Sequence, residues 1–125
     1  MKLLDSTVVT DYLRGHERAV DLIVEAIEGG ELVGASELVR FEVLAGARSN
    51  ELVRIERFLG ALGWIAVDET IARLGASLAR RYRRSHSGIG DIDYLIAATA
   101  LELGADLLTT NARHFPMLPG LRPAY

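Results

Sequence analysis

Apolar positions along this chain of 125 residues follow two alternating spacings. Short apolar runs of strand length are separated by stretches in which apolar residues recur three and four apart, the spacing of one helix face. Leu3-Leu4-Asp5 reads as a first buried strand ending on an acid. Ser6 or Thr7 then caps a helix through about Arg14, with Val8, Val9, Tyr12 and Leu13 at helical spacing and Gly15 as its stop. Residues 16–28 predict a second helix with Val20, Ile23, Val24 and Ile27 on one face. Residues 31–35 predict strand two. Ser36 caps the next helix, which carries Glu37 in its first turn and runs to about Ala47.

The same alternation continues to the end. Residues 50–62 predict a helix turning Leu52, Ile55, Phe58, Leu59 and Leu62 inward, and 64–67 predict strand three. Asp68 caps a long helix that reaches the cluster Arg80-Arg81-Tyr82-Arg83-Arg84. A loop with two glycines leads to a helix over 91–103, ended by Gly104. Residues 106–110 are strand four, with Asn111 at its carboxyl end. The tail holds all three prolines, Pro116, Pro119 and Pro123, and one short edge strand is expected around Leu121. Strands alternating with helices predict one α/β domain over residues 1–125. Its three layers (α/β/α) hold a mainly parallel sheet of four to five strands.

Composition narrows the function classes. The chain has no cysteine, which excludes a disulfide framework and a thiolate zinc site and fits a reducing cytosol. The first apolar residues are too few for a signal peptide, and no run approaches the ~18 residues of a membrane span. A net charge of −3 argues against a nucleic-acid coat protein. It leaves a nuclease open, because clustered acids can hold cations that attract phosphate.

Three acids are not explained by solvation: Asp5 at a strand end, Glu42 and Asp93 on helices. Glu42 falls between Leu38 and Gly46 on the helix wheel, beside the apolar face. Asp93 shares a face with Ile96, Ala97 and Ala100, whereas Asp91 lies with Leu95 and Glu102 on the more polar side. Taken singly, each acid is equally well explained as a cap or an ion-pair partner. Together they point to a cation site, because neighbouring buried carboxylates repel one another and a divalent ion relieves the repulsion. Oxygen ligands without cysteine favour Mg²⁺ or Mn²⁺ over Zn²⁺. Asn111 can offer a neutral oxygen to the ion or its water, although a turn residue after a strand is its plainer role. Ser6 and Thr7 can orient a carboxylate or phosphate, although helix capping explains them too. Arg113 and His114 on the same loop are candidates for substrate phosphate, and a solvated loop is their plainer reading. The arginines at 80–84 suit a helix carboxyl end, which is their plainer role, and can also meet a nucleic-acid backbone.

Four segments resemble the PIN-domain nucleases, and in particular the VapC-type toxins of prokaryotic toxin–antitoxin pairs. They are Leu3-Leu4-Asp5-Ser6-Thr7, Phe41-Glu42-Val43-Leu44-Ala45-Gly46, Asp93-Tyr94-Leu95-Ile96-Ala97-Ala98-Thr99-Ala100, and Leu108-Thr109-Thr110-Asn111-Ala112-Arg113-His114-Phe115. Their order spans almost the whole chain, and the last two together are fairly specific. The resemblance implies a PIN-like fold and a Mg²⁺- or Mn²⁺-dependent endoribonuclease with Asp5, Glu42, Asp93 and Asn111 as its catalytic residues. Asp5 and Asp93 are the implied ligands, with Glu42 acting directly or through water. It also implies a 5′-phosphate product, a homodimer, a cognate antitoxin and a prokaryotic cytosol. The helices at 8–13 and 20–27 are the expected antitoxin groove. Asn111 stands where many relatives carry an acid, which leaves one or two metal ions open.

Other classes fit less well. A receiver-type phosphotransfer module needs a late lysine, and the only lysine is Lys2. A haloacid-dehalogenase-like phosphatase needs a second aspartate two residues after the first, where this chain has Thr7. The remaining alternative is a catalytically silent PIN-like scaffold that binds RNA or a protein partner.

Overall fold

The computed structural model describes residues 1–125. Four strands, β1 (Lys2–Leu4), β2 (Val33–Ser36), β3 (Gly63–Ile65) and β4 (Asp106–Leu108), form a sheet in the order β3-β2-β1-β4. Every pairing is parallel, with Leu3 opposite Gly34 on one side and Leu107 on the other. The helices are α1 (Ser6–Leu13), α2 (Glu17–Glu28), α3 (Glu37–Ala45), α4 (Leu52–Leu59), α5 (Glu69–Tyr82) and α6 (Asp91–Leu103). The chain steps from β1 to β2 to β3 in one direction and then returns past β1 to β4. Right-handed crossovers therefore put α1 to α4 on one face and α5 with α6 on the other. The packing agrees: α1 meets α2 and α3, α3 meets α4, and α5 meets α6.

That order has a functional consequence. The connection leaves β1 towards β2 on one face, while β4 arrives beside β1 from the other. In open parallel sheets a crevice forms at such a switch, at the carboxyl ends of the strands. Here it lies between the ends of β1 and β4, so residues just after Leu4 and Leu108 face it.

Leu3, Leu4, Val8, Val9 and Val39 are fully buried around the sheet, with Ile96, Ala97, Ala98 and Ala100 from α6. Two glycines allow close approach. A Cβ on Gly34 would stand 2.7 Å from the Gly63 carbonyl oxygen in the neighbouring strand, and one on Gly75 would stand 2.8 Å from a Leu95 methyl group. The first obstacle is backbone and cannot yield. Gly34→Ala is therefore expected to destabilise the domain by about 1–3 kcal/mol in a urea titration; an unchanged midpoint would mean β2 and β3 separate at little cost.

Several boundaries differ from the sequence reading. Asp5, not Ser6 or Thr7, is the N-cap of α1, because its carboxylate reaches back to the Ser6 N–H. The helix expected over 50–62 begins as a 3₁₀ turn and ends at Leu59, and Leu52 is left substantially exposed. On α2 the buried residues are Ala19 and Ile23, while Val24 and Ile27 face outward. No fifth strand forms near Leu121. Its prolines remove donors a strand would need, and one backbone bond, from the Ala124 N–H to the Thr109 carbonyl at 2.8 Å, ties the tail to the end of β4. The tail is anchored by buried Phe115 and Met117, and by Tyr125, whose hydroxyl donates to Asp11 at 2.6 Å.

Candidate active site

Asp5 sits at the switch point, and its side chain is held from three sides. One oxygen accepts the Ser6 N–H at 2.9 Å. The other accepts the Thr109 hydroxyl at 2.7 Å and the Thr7 hydroxyl at 3.3 Å. The threonines are themselves fixed, since Thr7 Oγ1 accepts the Thr110 N–H and Thr109 Oγ1 accepts the Asn111 N–H. The end of β1 is thus stitched to the end of β4 through one carboxylate. Burial pushes the Asp5 carboxyl above the usual range, the Thr109 and Ser6 hydrogen bonds pull it back in part, and the charge of Asp93 raises it again.

Glu42 lies half-buried on α3. Burial raises its carboxyl as well, the Ser6 hydroxyl offsets this in part, and the charges of Asp5 and Asp93 add to the rise. All three acids therefore belong to one electrostatic unit, contributed by β1, α3 and α6. Glu37 does not join it, because Arg40 takes its carboxylate at 2.8 Å and lies over the Trp64 ring.

On α6 the helix face sorts the two aspartates as the wheel predicts. The Asp91 side chain is 82% exposed and pairs with Arg83 at 2.6 Å, while that of Asp93 is 23% exposed. Asp93 also accepts the Gly90 N–H at 3.3 Å, so it helps to cap its own helix. His114 Nδ1 lies 3.3 Å from Asp93 and 3.0 Å from the Asn111 amide nitrogen. A neutral Nδ1 accepts from the amide; a protonated one donates to Asp93. The structure thus ties His114 and Asn111 to an acid of the cleft, while Arg113 is exposed on the rim. Ser6, Thr7 and Thr110 line a polar hollow of about 300 Å³ beside Asp5.

The donor set suits a hard divalent cation in kind: oxygen throughout, with two carboxyls whose charge the protein alone does not balance. No three acidic or imidazole side chains stand together at ligand geometry. Mg²⁺ is commonly held by one or two carboxylates, with water and substrate phosphate completing the shell. Asp5 and Asp93 are the residues that would hold such an ion, and the Ser6 side chain lies against Glu42.

Thr109 is the site residue that the sequence reading passes over. It is fully buried, and it joins Asp5 to the Asn111 loop. A hydroxyl residue directly after an apolar strand, opposite the strand-end acid, is the signal that marks it. Thr109→Val removes a hydrogen bond that favours the charged form of Asp5, so the Asp5 carboxyl should rise further. The expected result is a loss of about 1–3 kcal/mol of stability and an acid limb of the activity profile displaced to higher pH. An unshifted profile would show that Thr109 does not tune Asp5.

An all-parallel three-layer domain with acids gathered at the strand switch defines the class, and the sequence comparison gives the family. The PIN domain family model matches residues 2–120, and the chain belongs to that family. It is 59% identical to Ribonuclease VapC19 of Mycobacterium tuberculosis over the full length of both chains. It is 41% identical to Ribonuclease VapC10 of the same species, covering all of this chain and 93% of that one. Among solved structures, a toxin–antitoxin complex from Klebsiella pneumoniae superposes with a TM-score of 0.81 at 24% identity, covering 100% of this chain and 98% of that one.

Proposed function

We propose that this chain is an endoribonuclease that hydrolyses RNA phosphodiester bonds with Mg²⁺ or Mn²⁺, acting as the toxin of a toxin–antitoxin pair. The observation that carries the chemistry is the buried, strand-end Asp5 coupled to Asp93 and Glu42 at the sheet's switch point. Full-length identity of 59% to a named ribonuclease supports RNA as the substrate.

A divalent cation bound here supplies neutralisation of the scissile phosphate and a more acidic water. Asp5 and Asp93 would hold it, and the Thr109 and Thr7 hydroxyls fix the orientation of Asp5. Burial and the charges of Asp5 and Asp93 raise the Glu42 carboxyl, which makes Glu42 a better proton acceptor than a free glutamate. It receives the proton of the attacking water at its carboxylate. The water oxygen bonds to phosphorus, and the 3′ oxygen leaves with a proton from solvent. The products are a 5′-phosphate and a 3′-hydroxyl. The Asn111 amide nitrogen is engaged with His114, which leaves its oxygen to face the water or ion. Arg113 meets the substrate backbone from the rim.

The protein works as a homodimer in the prokaryotic cytosol under control of a cognate antitoxin. No helix is long and apolar enough to cross a membrane. Because Val8, Val9, Leu13 and Ile23 are spent on the core, the antitoxin has mainly Val24 and Ile27 to grip on α1 and α2.

The test is incubation of the purified chain with tRNA, rRNA fragments and mRNA in Mg²⁺ or Mn²⁺, against EDTA. Endonucleolytic cuts with 5′-phosphate ends, absent in EDTA, are expected. Intact RNA in every sample with a folded, cation-binding protein would overturn the ribonuclease reading for those substrates.

A further inference from the structure

A groove of about 810 Å³ runs between α5 and α6. On the α5 side it is walled by small residues, Gly75, Ala76 and Ala79 among them, and Arg80, Arg83 and Arg84 line its end. Small side chains leave the space, and the arginines give it its charge. Asp91 is the only acid in the lining, and Arg83 takes it at 2.6 Å. Arg80 and Arg84 form no ion pair. Arg81 points elsewhere, its guanidinium 5.4 Å from the Tyr82 ring.

Complementing the carboxyl end of α5 accounts for cations in its last turn. It does not account for three arginines sharing one groove on a chain whose net charge is negative. Tyr94, on the same groove, is 1% exposed and carries the one buried side-chain polar atom without a hydrogen-bond partner. An acceptor is what that hydroxyl lacks. Asp91 of the groove lining and Asp93 of the acid cleft belong to the same first turn of α6, so that turn borders both.

We propose that this groove binds a backbone phosphodiester of the RNA on one side of the bond being cut, with Arg80 and Arg84 as its contacts. Guanidinium forks match phosphate oxygens bidentately, and the small, partly apolar wall leaves room for the attached nucleoside. The proposal rests on the ribonuclease reading and adds a second, non-reacting anchor that sets the register of the strand in the cleft.

Binding of bulk tRNA to the Asp5→Asn protein, measured across salt concentrations, tests it without cutting. Adding Arg80→Gln and Arg84→Gln together should weaken binding about tenfold and reduce the slope of log affinity against log salt by roughly 0.7–0.9, the value for one phosphate. Arg81→Gln, which removes an adjacent charge outside the groove, should leave both unchanged. In the background that keeps the wild-type Asp5, the double variant should raise KM with kcat little altered. Binding unchanged in the double variant would overturn the groove proposal and leave the ribonuclease reading intact. Equal weakening by Arg81→Gln would overturn it too, as general charge attraction. No tRNA binding by any of these folded proteins would overturn the groove proposal, and the cleavage test with other RNAs would still decide the ribonuclease reading.

Discussion

Asp5→Asn is expected to reduce RNA cleavage by about 10³-fold or more, the scale of several kcal/mol that a properly held cation contributes to such a step. The chain should remain folded, because asparagine keeps an oxygen for the Ser6 N–H and the Thr7 and Thr109 hydroxyls can turn to accept. Stability should move in the opposite sense to activity. The Asp5 carboxyl is raised in the fold, so its charged form is disfavoured there. Below the ordinary carboxylate pKa the group costs nothing. As pH rises through the raised folded value a penalty opens, and above that value it stays constant. Glu42 behaves the same way. In chelator at neutral pH, Asp5→Asn should therefore melt at or above the wild-type temperature. Added Mn²⁺ should raise the wild-type midpoint, more at pH 7 than at pH 5, and should do little for the variant. A variant that cuts RNA within about threefold of wild type, less than about 1 kcal/mol of barrier, would remove Asp5 from the mechanism.

The second large effect contrasts two aspartates on one helix turn. Asp93→Asn should cost about 10²-fold or more in cleavage, since it removes a charge facing Asp5 and Glu42. Asp91→Asn breaks an exposed pair with Arg83, and such pairs contribute about 0–1 kcal/mol. Its cleavage should stay within about threefold of wild type. Equal losses would mean that the first turn of α6 presents both residues to the substrate.

Much of this was legible in the order of residues. The apolar runs at the ends of which Asp5, Ser36, Asp68 and Thr109 stand located all four strands to within two residues, because buried parallel strands leave little room for polar residues. The wheel position of Asp93 was readable because Ile96, Ala97 and Ala100 on its face are buried, while Asp91 and Glu102 on the other are exposed. The edge strand failed because an apolar residue between prolines still lacks the donors of a ladder. The outward turn of Leu52 and Val53 was hidden too, since helical spacing does not reveal which part of an apolar face neighbouring elements cover. Thr109 was missed for a different reason. Its role depends on β4 lying beside β1, a pairing between residues 104 positions apart that no local pattern reports. The same holds for His114, whose approach to Asp93 is set by the loop after β4.

The central claim is that Asp5 and its neighbouring carboxylates make one cation site. Calorimetric titration of Mn²⁺ into wild type, Asp5→Asn and Asp91→Asn at neutral pH tests it most directly, with no need to know the RNA target. Wild type and Asp91→Asn should bind the ion with matching affinity, and Asp5→Asn should show no comparable binding. Equal affinity in all three would contradict the account and place any bound cation elsewhere on the protein.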